Sequence, residues 1–154
     1  MPGDERRRAL DRAVRALARR DHSAASIRAR LSRAAVDDET CEDVVETLVR
    51  AGYLDDARFA TTRASHLAAG GYGDAWIRGD LQAQGVPDAT AEETLSALPP
   101  ERDRALAQAA KLGDPLRAAR SLARRGFSQE SLEAVLASSV ADDPVPGVGY
   151  ECSI

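Results

Sequence analysis

Three short segments of this chain match one another without gaps, and that internal repeat limits what the chain can become. Ile27, Ile77 and Ala118 correspond, as do Leu31, Leu81 and Leu122. Eight residues after the first set stand Ala35, Gly85 and Gly126, followed by Val36, Val86 and Phe127. Apolar residues four apart describe one face of a short helix. The copies lie 50 and then 41 residues apart. A tetratricopeptide array needs a period of about 34 with two helices per unit, and these spacings do not supply it. Units of this size bury little apolar surface alone and lean on their neighbours. The pattern predicts a stack of small helical bundles.

Each middle segment has a helix pattern before it and another after it. The first spans about 5–20, with Ala9, Leu10, Ala13, Val14, Leu17 and Ala18 on one face. Asp21-His22-Ser23 interrupts it, and Ser23 suits the N-cap of the next helix, which carries Ile27 and Leu31 and ends near 33–35. A third starts around 38–40 and shows Cys41, Val44, Val45, Leu48 and Val49. Asp37, Asp38, Glu39, Glu42 and Asp43 gather at its start, where the helix dipole favours them, and Gly52 closes it.

The cycle recurs twice. Asp55 or Asp56 caps a helix with Phe59, Ala60, Ala64, Leu67 and Ala68, stopped by Gly70-Gly71. Gly73-Asp74 opens the Ile77 helix, and Asp88 opens one with Ala91, Leu95 and Leu98. After Pro99-Pro100 come Ala105, Leu106, Ala109 and Ala110, then Asp114-Pro115 as cap and first helical residue. Ser128 caps a last helix with Leu132, Val135 and Leu136. The expectation is an all-α fold of three tandem three-helix repeats, forming an elongated, curved helical array. The repeats span 1–54, 55–98 and 99–140, and 141–154 reads as a disordered tail.

Composition agrees: 44% of residues are hydrophobic but only 4% aromatic, so Ala and Leu must build the cores. No run approaches the ~18 apolar residues of a membrane span, and the start MPGDERRRAL lacks the apolar core of a secretory signal. Cys41 and Cys152 are the only cysteines, one inside an amphipathic helix pattern and the other in the tail, so no disulfide framework is expected. A cytoplasmic protein with no membrane association is expected. The net charge of −4 hides strong segregation. Residues 1–35 carry ten Arg against four acids, and 36–56 one Arg against eight acids. Residues 99–127 are again basic, and 128–154 hold five acids and no basic residue. Such blocks give a surface distinct positive and negative zones.

Catalytic patterns find little support. His22 and His66 have no Cys, Glu or second His at ligand spacing, so a zinc site lacks its ligands. Asp55-Asp56 is better explained by helix capping than by an acid–base pair. The GGYG of 70–73 follows a helix and lacks the Lys and Ser/Thr of a phosphate loop. No Ser or Cys has a His and an acid placed to activate it. The sequence therefore reads as a binding protein, not an enzyme, without cofactor or metal. Its basic faces are Arg28, Arg30 and Arg33, Arg78 at the Arg28 position, and Arg117, Arg120, Arg124 and Arg125. They suit either solvent or contact with phosphates or an acidic partner. Tyr72 and Trp76 alone could stack on bases nearby, a poor single-strand platform.

Four segments in order resemble the bacterial regulatory protein RecX family: RRDHSAASIRARL (19–31), AGYLDDARFA (51–60), GYGDAWIRGDLQAQGV (71–86) and SLARRGFSQESLEAVL (121–136). Each is mostly capping and core residues, and their strength lies in being four in register over residues 6–138. The chain departs from the family pattern at Arg63 and Leu67, where a Tyr and an Arg are usual, and at Asp74-Ala75-Trp76, where basic residues are usual. The resemblance implies a protein that binds the RecA recombinase filament on DNA. It would restrain filament assembly, ATP hydrolysis and strand exchange in homologous recombination, DNA repair and the SOS response. It implies no catalytic residue and no cofactor. On that reading the expected contact residues are Arg28, Arg30, Arg78, Arg120 and Arg124, on a monomer touching the filament at several points. Two alternatives stay open: a helical protein binding DNA directly and weakly, without the recombinase, and a generic helical adaptor.

Overall fold

The computed structural model describes residues 2–141, which form nine helices and no strand. They are α1 (Pro2–Arg19), α2 (Ala24–Arg33), α3 (Asp38–Arg50), α4 (Asp56–Ala69), α5 (Asp74–Ala83), α6 (Asp88–Ala97), α7 (Glu101–Leu112), α8 (Pro115–Arg124) and α9 (Gln129–Ala141). The expected three-helix repeats are present: α1–α3, α4–α6 and α7–α9 pack chiefly within their own triplets. Each triplet has its own core cluster. Ala141 ends α9, and the rest of the expected tail, 142–154, lies outside the described residues.

Local sequence explains where the helices start. Ser23 accepts from the Ser26 amide at 3.1 Å, Asp37 from Thr40 at 2.9 Å and Asp55 from Arg58 at 3.0 Å. Each satisfies an amide that the first helical turn leaves unpaired. Where α2, α5 and α8 stop, the repeated residues of the sequence supply a left-handed turn. Ala35, Gly85 and Gly126 have φ of 60°, 74° and 83°. The next amide then bonds back into the helix: Val36 to Leu31, Val86 to Leu81 and Phe127 to Leu122, at 3.0–3.2 Å. This is the Schellman closure.

Ile27, Leu31, Ile77, Leu81 and Leu122 are buried, so the repeated middle helices are the centre of each triplet. Burying each of these aliphatic side chains contributes on the order of 1.5–3 kcal/mol. In α1 the buried stripe is Ala9, Ala13 and Ala16, with Leu10 and Leu17 partly buried. Val14 and Ala18, expected on that face, are exposed, and so is Val49 of α3. The apolar run of α1 is wider than the contact its short alanine side chains make, so its flank stays in water.

The triplets meet end to side, and the two junctions are built alike. At the first, the start of α2 meets the turn after α5: the Ser23 hydroxyl donates to the Gln84 carbonyl, and the Ala24 amide donates to Asp56 Oδ1 at 2.9 Å. At the second, the start of α5 meets the turn after α8. The Gly73 amide donates to the Arg125 carbonyl at 2.8 Å, Ala75 to Gly126 at 3.2 Å, and the Asp74 amide to Glu101 Oε1 at 2.9 Å. In both, the first helix of the following triplet lends a carboxylate to cap the middle helix of the preceding one. Asp55 and Asp56 thus have separate structural roles, one capping α4 and the other α2.

Candidate partner-binding surface

The arginines sort into those held within the molecule and those left free. Arg28 is bound through Nε and Nη2 to the Glu42 carboxylate, and Arg78 is bound in the same way to Glu92. The two pairs occupy matching positions 50 residues apart, on exposed faces of the first and second triplets. The hydrogen bond from Arg78 holds the Glu92 carboxyl below its ordinary pKa. In the third triplet Ala119 stands where the arginine would be, and no such pair forms there.

Both departures from the family pattern are answered inside the chain. Arg63 forms a two-point pair with Asp80, which raises its pKa further. Asp74 pairs with Arg104, a guanidinium whose side chain is only 9% exposed. Arg104 also donates to the Tyr72 and Pro99 carbonyls, each at 3.0 Å, and lies 5.9 Å from the Phe127 ring centroid. Leu67 packs against the core of the second triplet.

Arg30 points to a different environment from Arg28. It lines a groove of about 430 Å3 with Arg8, Asp11, Arg12, Arg15, Ala16 and Arg19 of α1. Positions 8, 12, 15 and 19 fall on one helical face. Two of these charges are compensated, Arg8 by Asp4 at 2.6 Å and Arg15 by Asp11 at 2.9 Å. Arg12, Arg19 and Arg30 form no ion pair among the described residues. The α1 stripe has an i, i+4, i+7, i+11 spacing legible in the sequence, and the fold adds Arg30 of α2 to it.

Arg120 and Arg124 come together with Arg117 and Ser121 beside exposed Leu112, around a groove of about 400 Å3. These arginines too have no ion pair among the described residues. Arg125 instead holds the Gly70 carbonyl at 2.8 Å and lies over the Tyr72 ring. Tyr72 stacks on Trp76 with centroids 4.9 Å apart. His22 is buried beneath the first junction, hydrogen-bonded to the Ser26 hydroxyl at 3.0 Å, in a structural setting. The five expected contact residues therefore do not form one site: Arg30 belongs to one groove, Arg120 and Arg124 to another, and Arg28 and Arg78 to neither.

These features define a tandem three-helix-repeat protein with basic grooves on its first and third repeats. Models of the first and second RecX three-helix domains match residues 9–48 and 55–95. The regulatory protein RecX of Halorhodospira halophila is 31% identical over 86% of this chain and 89% of its own. That of Escherichia coli O9:H4 is 32% identical over 83% and 89%. The chain belongs to the RecX family. Its fold is similar to the crystal structure of RecX from Lactobacillus salivarius, with a TM-score of 0.82 at 16% identity, covering 90% of this chain and 99% of that one. Both sequence relatives are named regulatory proteins. No helix among the described residues is long and apolar enough to cross a membrane.

Proposed function

We propose that this protein binds the RecA recombinase filament in the cytoplasm and restrains its assembly, ATP hydrolysis and strand exchange. The observation that carries the reading is the pair of basic grooves, one with Arg30 and one with Arg120 and Arg124, on separate repeats of a RecX-family chain. The repeats 1–54, 55–98 and 99–140 act as linked modules of a monomer. Two weak contacts on one scaffold bind far more tightly than either alone, because the second forms at high effective concentration. Arg28 and Arg78 contribute only where the partner competes with Glu42 and Glu92.

The test is to titrate the protein into a recombinase ATPase assay on single-stranded DNA. Hydrolysis should fall with added protein, and Arg30→Ala with Arg120→Ala and Arg124→Ala should weaken the effect at least tenfold without unfolding the chain. Unchanged hydrolysis and filament length at several-fold excess would end this reading.

The row of guanidinium groups on α1 also favours a second reading, direct binding of a phosphate backbone without the recombinase. Salt separates the two: affinity driven by phosphates falls steeply and linearly in log[salt], whereas protein-driven binding falls less.

A further inference from the structure

The two internal junctions are near copies of each other, so the same two half-surfaces recur at the outer faces of the array. One half is the start of a middle helix. Its first residue is Ala24 in the first triplet, Asp74 in the second and Pro115 in the third. The amides of Ala24 and Asp74 donate to the following triplet's carboxylates, Asp56 and Glu101. Pro115, at the same position, has no amide hydrogen to give.

The other half is the left-handed turn that receives the helix start. Its central residue is Gly85 in the second triplet, Gly126 in the third and Ala35 in the first. A Cβ on Gly85 would lie 2.3 Å from Ala25 Cβ, and one on Gly126 would lie 2.6 Å from the Trp76 amide nitrogen. Both glycines are therefore required by the close approach of the neighbouring triplet, besides their positive φ. Ala35 has the same backbone conformation and carries the methyl group that the junction excludes. That half-surface offers a carboxylate as well, Glu5, on a helix that begins three residues earlier, at Pro2. Glu5 sits four residues before buried Ala9, as Asp56 and Glu101 sit four before buried Ala60 and Ala105. At the opposite face, Leu112 and Leu116 flank Pro115 and are 50% and 59% exposed.

We propose that Ala35 and Pro115 are paired stops, which prevent a second copy of this chain from adding head to tail through the junction used twice inside the array. The partner that the two outer faces fit is another copy of the chain itself. Such a contact is heterologous and does not close, so without stops it generates filaments instead of a defined oligomer. The inference is independent of what the arginine grooves bind.

The test is sedimentation velocity and small-angle scattering of the full chain over a concentration series reaching ~1 mM. The unmodified protein should remain monomeric. The double variant Ala35→Gly, Pro115→Ala should show mass rising with concentration, and its scattering should lengthen along one axis. Adding Glu5→Ala to that variant should reverse the association at least severalfold, because it removes the capping carboxylate. A double variant that stays monomeric, or an unmodified protein that associates equally well, overturns the proposal. Association insensitive to Glu5→Ala overturns it also, since a different surface would then be in use. Circular dichroism at 222 nm on every sample excludes misfolding as the source of larger species.

Discussion

Replacing Glu101 should unlock the second junction while leaving the helices formed. Its carboxylate accepts from the Asp74 amide at 2.9 Å, the Ser128 hydroxyl at 2.5 Å and the Ser131 hydroxyl at 2.8 Å, with the Ser128 amide at 3.2–3.3 Å. It thereby ties the start of α5 to the start of α9. Hydrogen bonds to a charged acceptor contribute roughly 1.5–3 kcal/mol each. They share one carboxylate, and water replaces some of them in the variant, so about 3 kcal/mol is expected for Glu101→Ala. Glu101→Gln keeps one acceptor oxygen and should cost about half that. At roughly 2–4 °C per kcal/mol for a chain of this size, the alanine variant should melt some 6–12 °C lower.

The assay is urea unfolding followed by two probes. Circular dichroism follows all nine helices, while fluorescence follows Trp76, the only tryptophan, which lies against Gly126 in this junction. The Trp76 transition should move to lower urea first and separate from the helical one, because array stability is a sum of unit and junction terms. The pH dependence gives a second check. Burial pushes the Glu101 carboxyl up, but hydrogen bonds from Ser128, Asp74 and Ser131 outweigh it and hold the pKa below 4.5. A depressed carboxylate contributes its stability above the unfolded pKa and loses it as pH falls through the folded value. The gap between the native protein and Glu101→Gln should therefore be constant at neutral pH and narrow below about 4.5. Coincident transitions with less than about 0.5 kcal/mol between the proteins would refute the junction's role.

Three further outcomes follow from the same geometry. Gly85→Ala places a methyl group against Ala25 and adopts a positive φ, so it should destabilise the first junction by about 2–3 kcal/mol in the same urea assay. Arg104→Leu leaves Asp74 and the Tyr72 carbonyl without their buried partner and should cost about 3–5 kcal/mol. Arg104→Lys should recover only part of that, because one ammonium cannot reach all three acceptors. His22 has its pKa lowered by burial and then by Arg20 and Arg30, so the fold favours its neutral form. Stability should decline as pH falls from about 6.5 through the folded pKa, and His22→Gln should flatten that slope in melts between pH 7 and 5.

What the sequence revealed and what it hid divide along the range of the interaction. Ser23, Asp55 and Asp114 could be read as caps because each bonds an amide two or three residues away. The repeated stops could be read because Leu31, Ala35 and Val36 are local to one helix end. Asp56 and Glu101 could not be assigned, because the Ala24 and Asp74 amides that donate to them belong to the preceding triplet, 32 and 27 residues distant. Asp74 read as a loss of positive charge, and only the fold shows its partner Arg104 across the junction. The basic stripe of α1 was a helical spacing awaiting Arg30, which α2 brings alongside.

The fate of the remaining arginines argues for two contact points instead of three. Every arginine of the middle triplet is engaged: Arg58 with the Gly52 carbonyl, Arg63 with Asp80 and Arg78 with Glu92. The outer triplets also pair many of theirs but keep a free set at each end, with Arg12, Arg19 and Arg30 at one and Arg117, Arg120 and Arg124 at the other, none in an ion pair among the described residues. An engaged arginine must first leave its internal acceptor, which for an exposed pair takes up to about 1 kcal/mol from what it gains with a partner. Arg78→Ala should therefore change inhibition of the recombinase by less than about threefold, whereas Arg30→Ala alone should weaken it more. Removing the free arginines at both ends should exceed the product of the two single-end effects, as expected when one contact raises the effective concentration of the other. Binding assays that found Arg78 as costly as Arg30 would place the contact along the whole array and refute a two-point attachment.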